Sequence, residues 1–79
     1  MFDQRIVSIV SKYFNAPADA IHPNTDFKND LNADSLDMVE FTIEIEKEFD
    51  FLFNDEDIEK IRVVADVQHY LMQPAAIAA

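Results

Sequence analysis

The chain contains no glycine, no cysteine and no tryptophan among its 79 residues. Without cysteine it has neither a disulfide framework nor a thiolate metal site. No apolar run approaches the roughly 20 residues that a membrane-spanning helix needs. No apolar stretch follows a basic start at Met1–Arg5, so we expect no signal sequence and a soluble, cytoplasmic protein. A chain this short is expected to form one domain over residues 1–79, with a frayed tail at 73–79.

Basic residues are scarce, because six Lys and Arg oppose 16 Asp and Glu and leave a formal net charge of −10. Nucleic acid and anionic membranes repel such a chain, whereas basic protein surfaces or cations attract it. All acidic residues except Asp3, Asp19 and Asp66 lie between Asp26 and Glu59. Solubility alone is one explanation of this charge. A domain this small has little room for a deep active-site cavity, which favours a binding or carrier role over an enzyme.

The hydrophobic spacing is helical throughout and predicts an all-α fold, a small four-helix bundle of three main helices and one short helix. A long first loop, Ala16–Asp34, joins the first two helices, and loops of this length are often functional. The first predicted helix begins after a cap at Asp3 and ends near Asn15. The other three cover Ser35–Phe49, Asp55–Ile61 and Val64–Met72, and Pro74 stops the last one. A broad apolar face is expected on the second helix, formed by Leu36, Val39, Phe41, Ile43, Ile45 and Phe49.

The lack of glycine affects the ends of the helices. A helix often ends on a residue with positive φ, and asparagine is the common substitute for glycine there. We therefore expect positive φ at Asn15, Asn32 and Asn54.

One serine, Ser35, stands where the long loop meets the second helix, between Asp34 and Asp37. A helix N-terminus stabilises a phosphodiester, and Asp34 would help hold Mg²⁺ while a phosphate-containing group is transferred to Ser35. A plain helix cap at Ser35 or Asp34 is the commoner explanation of such residues. A serine nucleophile would need a positioned base, and no elbow motif surrounds Ser35.

The stretch from Asp30 to Glu40, D-L-N-A-D-S-L-D-M-V-E, resembles the phosphopantetheine attachment motif of acyl carrier proteins. Phe27 precedes it at that family's usual interval. Segment 45–50 is similar to the acidic end of the family's second helix, and segments 54–57 and 64–67 are similar to its third and fourth helices. The resemblance implies an acyl-carrier-protein-like bundle with a 4′-phosphopantetheine arm on Ser35. The cofactor-binding residues that it implies are Asp34, Ser35, Leu36 and Asp37, with no catalytic residue and no metal site.

By this resemblance, a phosphopantetheinyl transferase moves the arm from coenzyme A to Ser35. The arm's thiol carries acyl intermediates as thioesters, and the chain presents them to fatty-acid or polyketide-type biosynthetic enzymes. The chain itself is expected to be a monomer and not an enzyme. These acyl-transferring, condensing and reducing partners are expected to have basic docking patches. The implied docking residues are Asp34, Asp37, Glu40, Ile43, Glu46 and Glu59. The implied acyl-chain lining is Phe27, Phe41, Ile45, Phe53, Ile58 and Ile61, for which ordinary core packing is the competing role.

The sequence departs from the usual family pattern at Asn32, Asn54, Lys47 and Val63, the last standing where a threonine would cap the final helix. These departures make a dedicated carrier of a polyketide, aryl-polyene or lipid-modifying pathway an alternative to general fatty-acid synthesis.

A cation-binding helical module is a further alternative, because Asp30, Asn32 and Asp34 alternate as in an EF-hand loop. That loop would need glycine and glutamate where this chain has Ser35 and Phe41. An unmodified acidic structural or inhibitory bundle would tolerate replacement of Ser35.

Overall fold

The structure is a computed structural model that describes residues 2–72, most of which lie in four α-helices. The helices are α1 at Gln4–Phe14, α2 at Ser35–Phe49, α3 at Asp55–Lys60 and α4 at Val64–Met72. A 3₁₀ turn at Ala18–Ala20 lies within the long loop. Residues 2–72 contain no β-strand, only a single antiparallel bridge between Asp26 and Val63. The predicted all-α four-helix fold is confirmed, whereas Pro74 and the tail at 73–79 lie outside the described residues.

The helix ends follow from local side-chain chemistry. Asp3 caps α1, since its Oδ1 accepts the Arg5 backbone N–H at 2.9 Å. Asn15 and Asn32 have positive φ as predicted, at 54° and 59°. The prediction for Asn54 was wrong, because Asn54 precedes α3 with φ −80° and the left-handed residue is Asp50, which ends α2 at φ 54°. The short polar side chain of aspartate also tolerates that conformation.

The core is built from one face of each long helix. Its completely buried apolar side chains are Ile6, Val10, Phe41, Ile45, Val64 and Val67. Phe14, Phe27 and Phe41 form an aromatic cluster with ring centroids 5.2–5.7 Å apart. Close packing of this kind fixes the positions of α1, α2 and the long loop relative to one another.

The apolar face of α2 is narrower than the sequence pattern predicts. Leu36, Val39 and Ile43 are exposed, and the buried residues of α2 are Phe41, Thr42 and Ile45. The reason is helical geometry, because at about 3.6 residues per turn these three positions fall on a different side of α2 from the buried Phe41, Thr42 and Ile45. No helix within residues 2–72 is both long enough and apolar enough to cross a membrane.

The long loop is fastened to the start of α4. The Val64 N–H donates to the Thr25 carbonyl at 3.0 Å, and the Ala65 N–H donates to the Pro23 carbonyl at 2.8 Å. Although Val63 has no capping side chain, Asp66 Oδ2 accepts the N–H groups of Arg62 and Val63 at 2.9 and 3.1 Å. These bonds satisfy N–H groups that a helix start leaves unpaired and hold the loop beside α4.

Candidate functional site

Ser35 is the first residue of α2, but it does not cap the helix. Asp34 is the N-cap: its Oδ1 accepts the Asp37 N–H at 2.8 Å, and Asp37 Oδ2 accepts the Asp34 N–H at 3.1 Å. This reciprocal capping box gives the N–H groups of Asp34 and Asp37 their acceptors without any help from a serine hydroxyl. Ser35 is exposed, and no hydrogen bond within residues 2–72 uses its Oγ. The capping explanation therefore accounts for Asp34 and leaves the Ser35 hydroxyl available for chemistry.

The loop before Ser35 is held by its own carboxylates. Asp26 Oδ1 accepts the N–H groups of Lys28 and Asn29, both at 2.9 Å, and Asp30 Oδ2 accepts the Asp26 N–H at 2.8 Å. The hydrogen bond from Asn29 is the main cause that lowers the pKa of Asp26, followed by the bond from Lys28 and the charge of Arg62, against an opposing effect of lost hydration. These hydrogen bonds fix the conformation of the loop that leads to Ser35.

A groove of about 880 Å³ opens beside Ser35, between the loop, the first half of α2, and α3. Its apolar lining consists of Phe27, Ala33, Met38, Val39, Ile58 and Ile61. Charged residues of both signs also line it, namely Asp26, Lys28, Asp34, Asp55, Glu59 and Arg62, and the uncharged polar residues are Asn29 and Ser35. The groove therefore combines an apolar floor with a charged rim, and the Ser35 hydroxyl lies at its edge.

Three of the six residues expected to contact an acyl chain line this groove, namely Phe27, Ile58 and Ile61. The other three, Phe41, Ile45 and Phe53, are buried in the core and do not line it. That an acyl chain contacts any of the six stays a prediction.

Sequence reasoning missed Ala33, Met38 and Val39 as groove residues. A signal was available for two of them, because Met38 and Val39 lie three and four residues after Ser35 and so share its side of the helix.

The chain has close relatives over most of its length. Residues 4–71 match the family described as phosphopantetheine attachment site. An acyl carrier protein of Lactobacillus acidophilus is 40% identical over 67 residues, covering 85% of this chain and 84% of that protein. An acyl carrier protein of Buchnera aphidicola is 42% identical over 69 residues, covering 87% of each. The chain belongs to the acyl carrier protein family. A solved structure of the acyl carrier protein from Enterococcus faecalis agrees, with a TM-score of 0.74, 40% identity and 86% of each chain covered.

The cofactor of acyl carrier proteins is a covalently attached 4′-phosphopantetheine. The residues at the start of α2 fit this group, because Ser35 offers an exposed hydroxyl that the fold does not use. The adjoining groove offers space along which an extended arm can lie.

Within residues 2–72, no group of three or more His, Asp or Glu side chains is arranged to hold a metal ion. Asp30 and Asp34 instead accept backbone N–H groups, which argues against the EF-hand reading.

The residues expected to dock partner enzymes of this acyl carrier protein are mostly accessible. Asp34, Glu40 and Glu59 are exposed, and Ile43 is 42% exposed. Most of these carboxylates also have structural partners. Asp37 belongs to the capping box, and Glu46 Oε2 accepts the Phe53 N–H at 2.9 Å. The docking roles themselves stay predictions.

Glu40 also has a partner on α1. The Tyr13 hydroxyl donates to Glu40 Oε1 at 2.7 Å. This bond, together with lost hydration and the negative charges of Glu40, Asp37 and Asp34, raises the pKa of Tyr13 to about 12. The tyrosine thus remains a hydrogen-bond donor through the neutral pH range and holds the Glu40 side chain toward α1.

Proposed function

We propose that this acyl carrier protein is modified on the Oγ atom of Ser35 and presents acyl groups to biosynthetic enzymes. When bound, the arm supplies the thiol that carries the acyl group as a thioester, a group that this cysteine-free chain lacks. The observation that carries the proposal is the exposed Ser35 hydroxyl, which the Asp34–Asp37 capping box leaves unused at the edge of the groove. The chain itself positions the arm, shelters the acyl group and delivers it to each enzyme, and it catalyses no step.

The residues around Ser35 divide this work. The capping box fixes the backbone at the start of α2, so a phosphopantetheinyl transferase meets Ser35 on a backbone of one defined conformation. The unpaired N–H groups and the dipole of a helix N-terminus favour the phosphodiester that modification creates. Leu36, at 63% exposure, stands beside the serine as an apolar contact for the transferase.

The docking surface that we propose is an apolar stripe with an acidic border. Leu36, Val39 and Ile43 recur on one side of α2 and are 63%, 44% and 42% exposed. The acidic border consists of Asp34, Asp37, Glu40, Glu46 and Glu59. A partner with a basic patch around an apolar centre would fit this surface. Charge complementarity chiefly speeds encounter, which suits a carrier that must leave each enzyme quickly.

The pathway is proposed as fatty-acid or related acyl-chain biosynthesis in the cytoplasm, with the chain acting as a monomer. The proteins that it resembles over most of its length are acyl carrier proteins, and the groove floor is apolar. Loading tests against acyl groups of different length and polarity separate this pathway from a dedicated specialised pathway, which would restrict loading to one class of acyl group.

Intact-mass measurement tests the proposal. The parent chain, Ser35→Ala and the control Ser11→Ala are each incubated with coenzyme A, Mg²⁺ and a broad-specificity phosphopantetheinyl transferase. We expect one phosphopantetheinyl group on the parent and on Ser11→Ala, and none on Ser35→Ala. A folded parent that gains nothing would contradict the proposal and favour an unmodified acidic bundle.

A further inference from the structure

Two of the six basic residues line the groove beside Ser35. They are Lys28, in the long loop, and Arg62, just before α4, and both are exposed. Neither forms an ion pair within 4.0 Å with a carboxylate of residues 2–72. Arg5 and Lys47 do form such pairs, with Asp3 at 3.0 Å and Glu44 at 3.7 Å. Within residues 2–72, Lys12 and Lys60 lack such a pair as well, but neither lines the groove. Lys28 and Arg62 therefore stand out because they lie together beside Ser35, in a chain of net charge −10.

Backbone hydrogen bonds connect the chain segments that carry Lys28, Arg62 and Ser35, and these segments form one wall of the groove. The Phe27 N–H donates to the Arg62 carbonyl at 3.0 Å, and the Ala33 N–H donates to the Phe27 carbonyl at 2.9 Å. Lys28 directly follows Phe27, and Ser35 lies two residues beyond Ala33. The backbone of this wall is fixed further, because the backbone N–H groups of Lys28 and Arg62 donate to the carboxylates of Asp26 and Asp66.

The acidic residues of the groove do not fully occupy these cations. Asp26 and Asp34 already accept backbone N–H groups, from Lys28 and Asn29 and from Asp37. Asp55 and Glu59 lie on α3, and neither is within ion-pair distance of Lys28 or Arg62. Arg62 acts on Asp26 only through its charge, as one of the smaller causes of that carboxyl's lowered pKa. Without Lys28 and Arg62 the rim would be uniformly negative and would repel an anionic arm.

We infer that Lys28 and Arg62 form an anion subsite for the phosphodiester of the arm on Ser35 and so draw the arm into the groove. The inference rests on the proposed function. Guanidinium and ammonium groups donate charge-assisted hydrogen bonds to phosphate oxygens, and the planar arginine can do so with two parallel bonds. The apolar floor then lies under the rest of the arm, which shields the thiol between visits to partner enzymes.

The test compares modified proteins that carry the arm without any acyl group. The variant is K28Q/R62Q, and the matched control is K12Q/K47Q, which removes the same charge from residues that do not line the groove. Phosphorus NMR relaxation reports how firmly the phosphodiester is held, and the rate of thiol alkylation by uncharged iodoacetamide reports shielding. Circular dichroism checks that every protein is folded.

We expect the phosphodiester of K28Q/R62Q to be more mobile than that of the parent and its thiol to react several-fold faster, with the control matching the parent. Concentrated NaCl should move the parent toward the variant. Equal mobility and reactivity in parent and variant would overturn the subsite. A second comparison, by phosphorus NMR alone, uses the same proteins with a succinyl group on the arm. A difference that appears only there would also overturn the subsite, because the anion held would then be the acyl carboxylate. Failure to gain the arm at all would instead contradict the proposed function.

Discussion

At the scale of single residues, the same side-chain types have different tasks according to what they contact. Asp34 and Asp37 complete the start of α2, Asp26 and Asp30 hold the loop, and Glu40 accepts the Tyr13 hydroxyl. Sequence reasoning singled out Asp34, Ser35 and Asp37 because their spacing at a loop–helix junction is local information. It did not find the Tyr13–Glu40 bond, since those residues lie 27 positions apart and meet only when α1 packs on α2.

The Tyr13–Glu40 bond predicts a measurable pKa. In a Tyr70→Phe background only Tyr13 forms tyrosinate, so absorbance near 295 nm follows it alone. We expect an apparent pKa of about 12, falling toward the ordinary value of 10.0 in Glu40→Ala, because the main cause of the shift is removed. A folded pKa above the unfolded one means that this bond stabilises the fold below pH 10 and is lost as pH rises through 12. An unchanged value in Glu40→Ala would contradict the bond.

At the scale of helices, the sequence predicts the elements well wherever local chemistry decides. The bounds of α2 and α4 agree because caps and apolar spacing are local. The prediction failed where tertiary contacts decide. Leu36, Val39 and Ile43 have a core-like spacing, yet they are exposed because the core packs against another side of α2, where Phe41 and Ile45 lie. The groove likewise depends on Arg62 and Phe27 meeting across the loop, which no spacing reveals.

The α2 cap can be tested by a pair of neighbouring substitutions. Asp34→Ala removes the acceptor for the Asp37 N–H, so we expect the free energy of unfolding to fall by about 1 kcal/mol. Ser35→Ala removes a hydroxyl without a hydrogen bond, so its effect should stay within about 0.5 kcal/mol. Urea unfolding followed by circular dichroism measures both. A larger loss for Ser35→Ala than for Asp34→Ala would show that the cap has been assigned to the wrong residue.

At the scale of the whole molecule, the small core has to hold together a surface of one dominant charge. The net charge of −10 is concentrated between Asp26 and Glu59, and only two ion pairs are found within residues 2–72. Mutual repulsion of carboxylates opposes the compact state. This surface suits docking to basic partners, and its cost should be visible as a dependence of stability on salt.

We expect the thermal midpoint of the unmodified chain to rise as NaCl increases from low concentration to about 0.2 M, because screening weakens repulsion over distances beyond about 8–10 Å. The variant D50N/E56Q, which neutralises two exposed carboxylates, should show a smaller rise. Melting curves by circular dichroism measure both. A midpoint that falls with salt would contradict this expectation, because it would mean that the interactions of the carboxylates stabilise the fold.

The central claim concerns one atom, the Oγ of Ser35, and the most direct measurement locates the modification on the chain. The chain has three serines, Ser8, Ser11 and Ser35. After treatment with coenzyme A and the transferase, proteolysis and fragment-ion mass spectrometry assign the added group to a residue. We expect the phosphopantetheinyl group on the peptide that contains Ser35, on that serine and on no other. Its appearance on Ser8 or Ser11, or its absence from a folded chain, would show that Ser35 is not the attachment site.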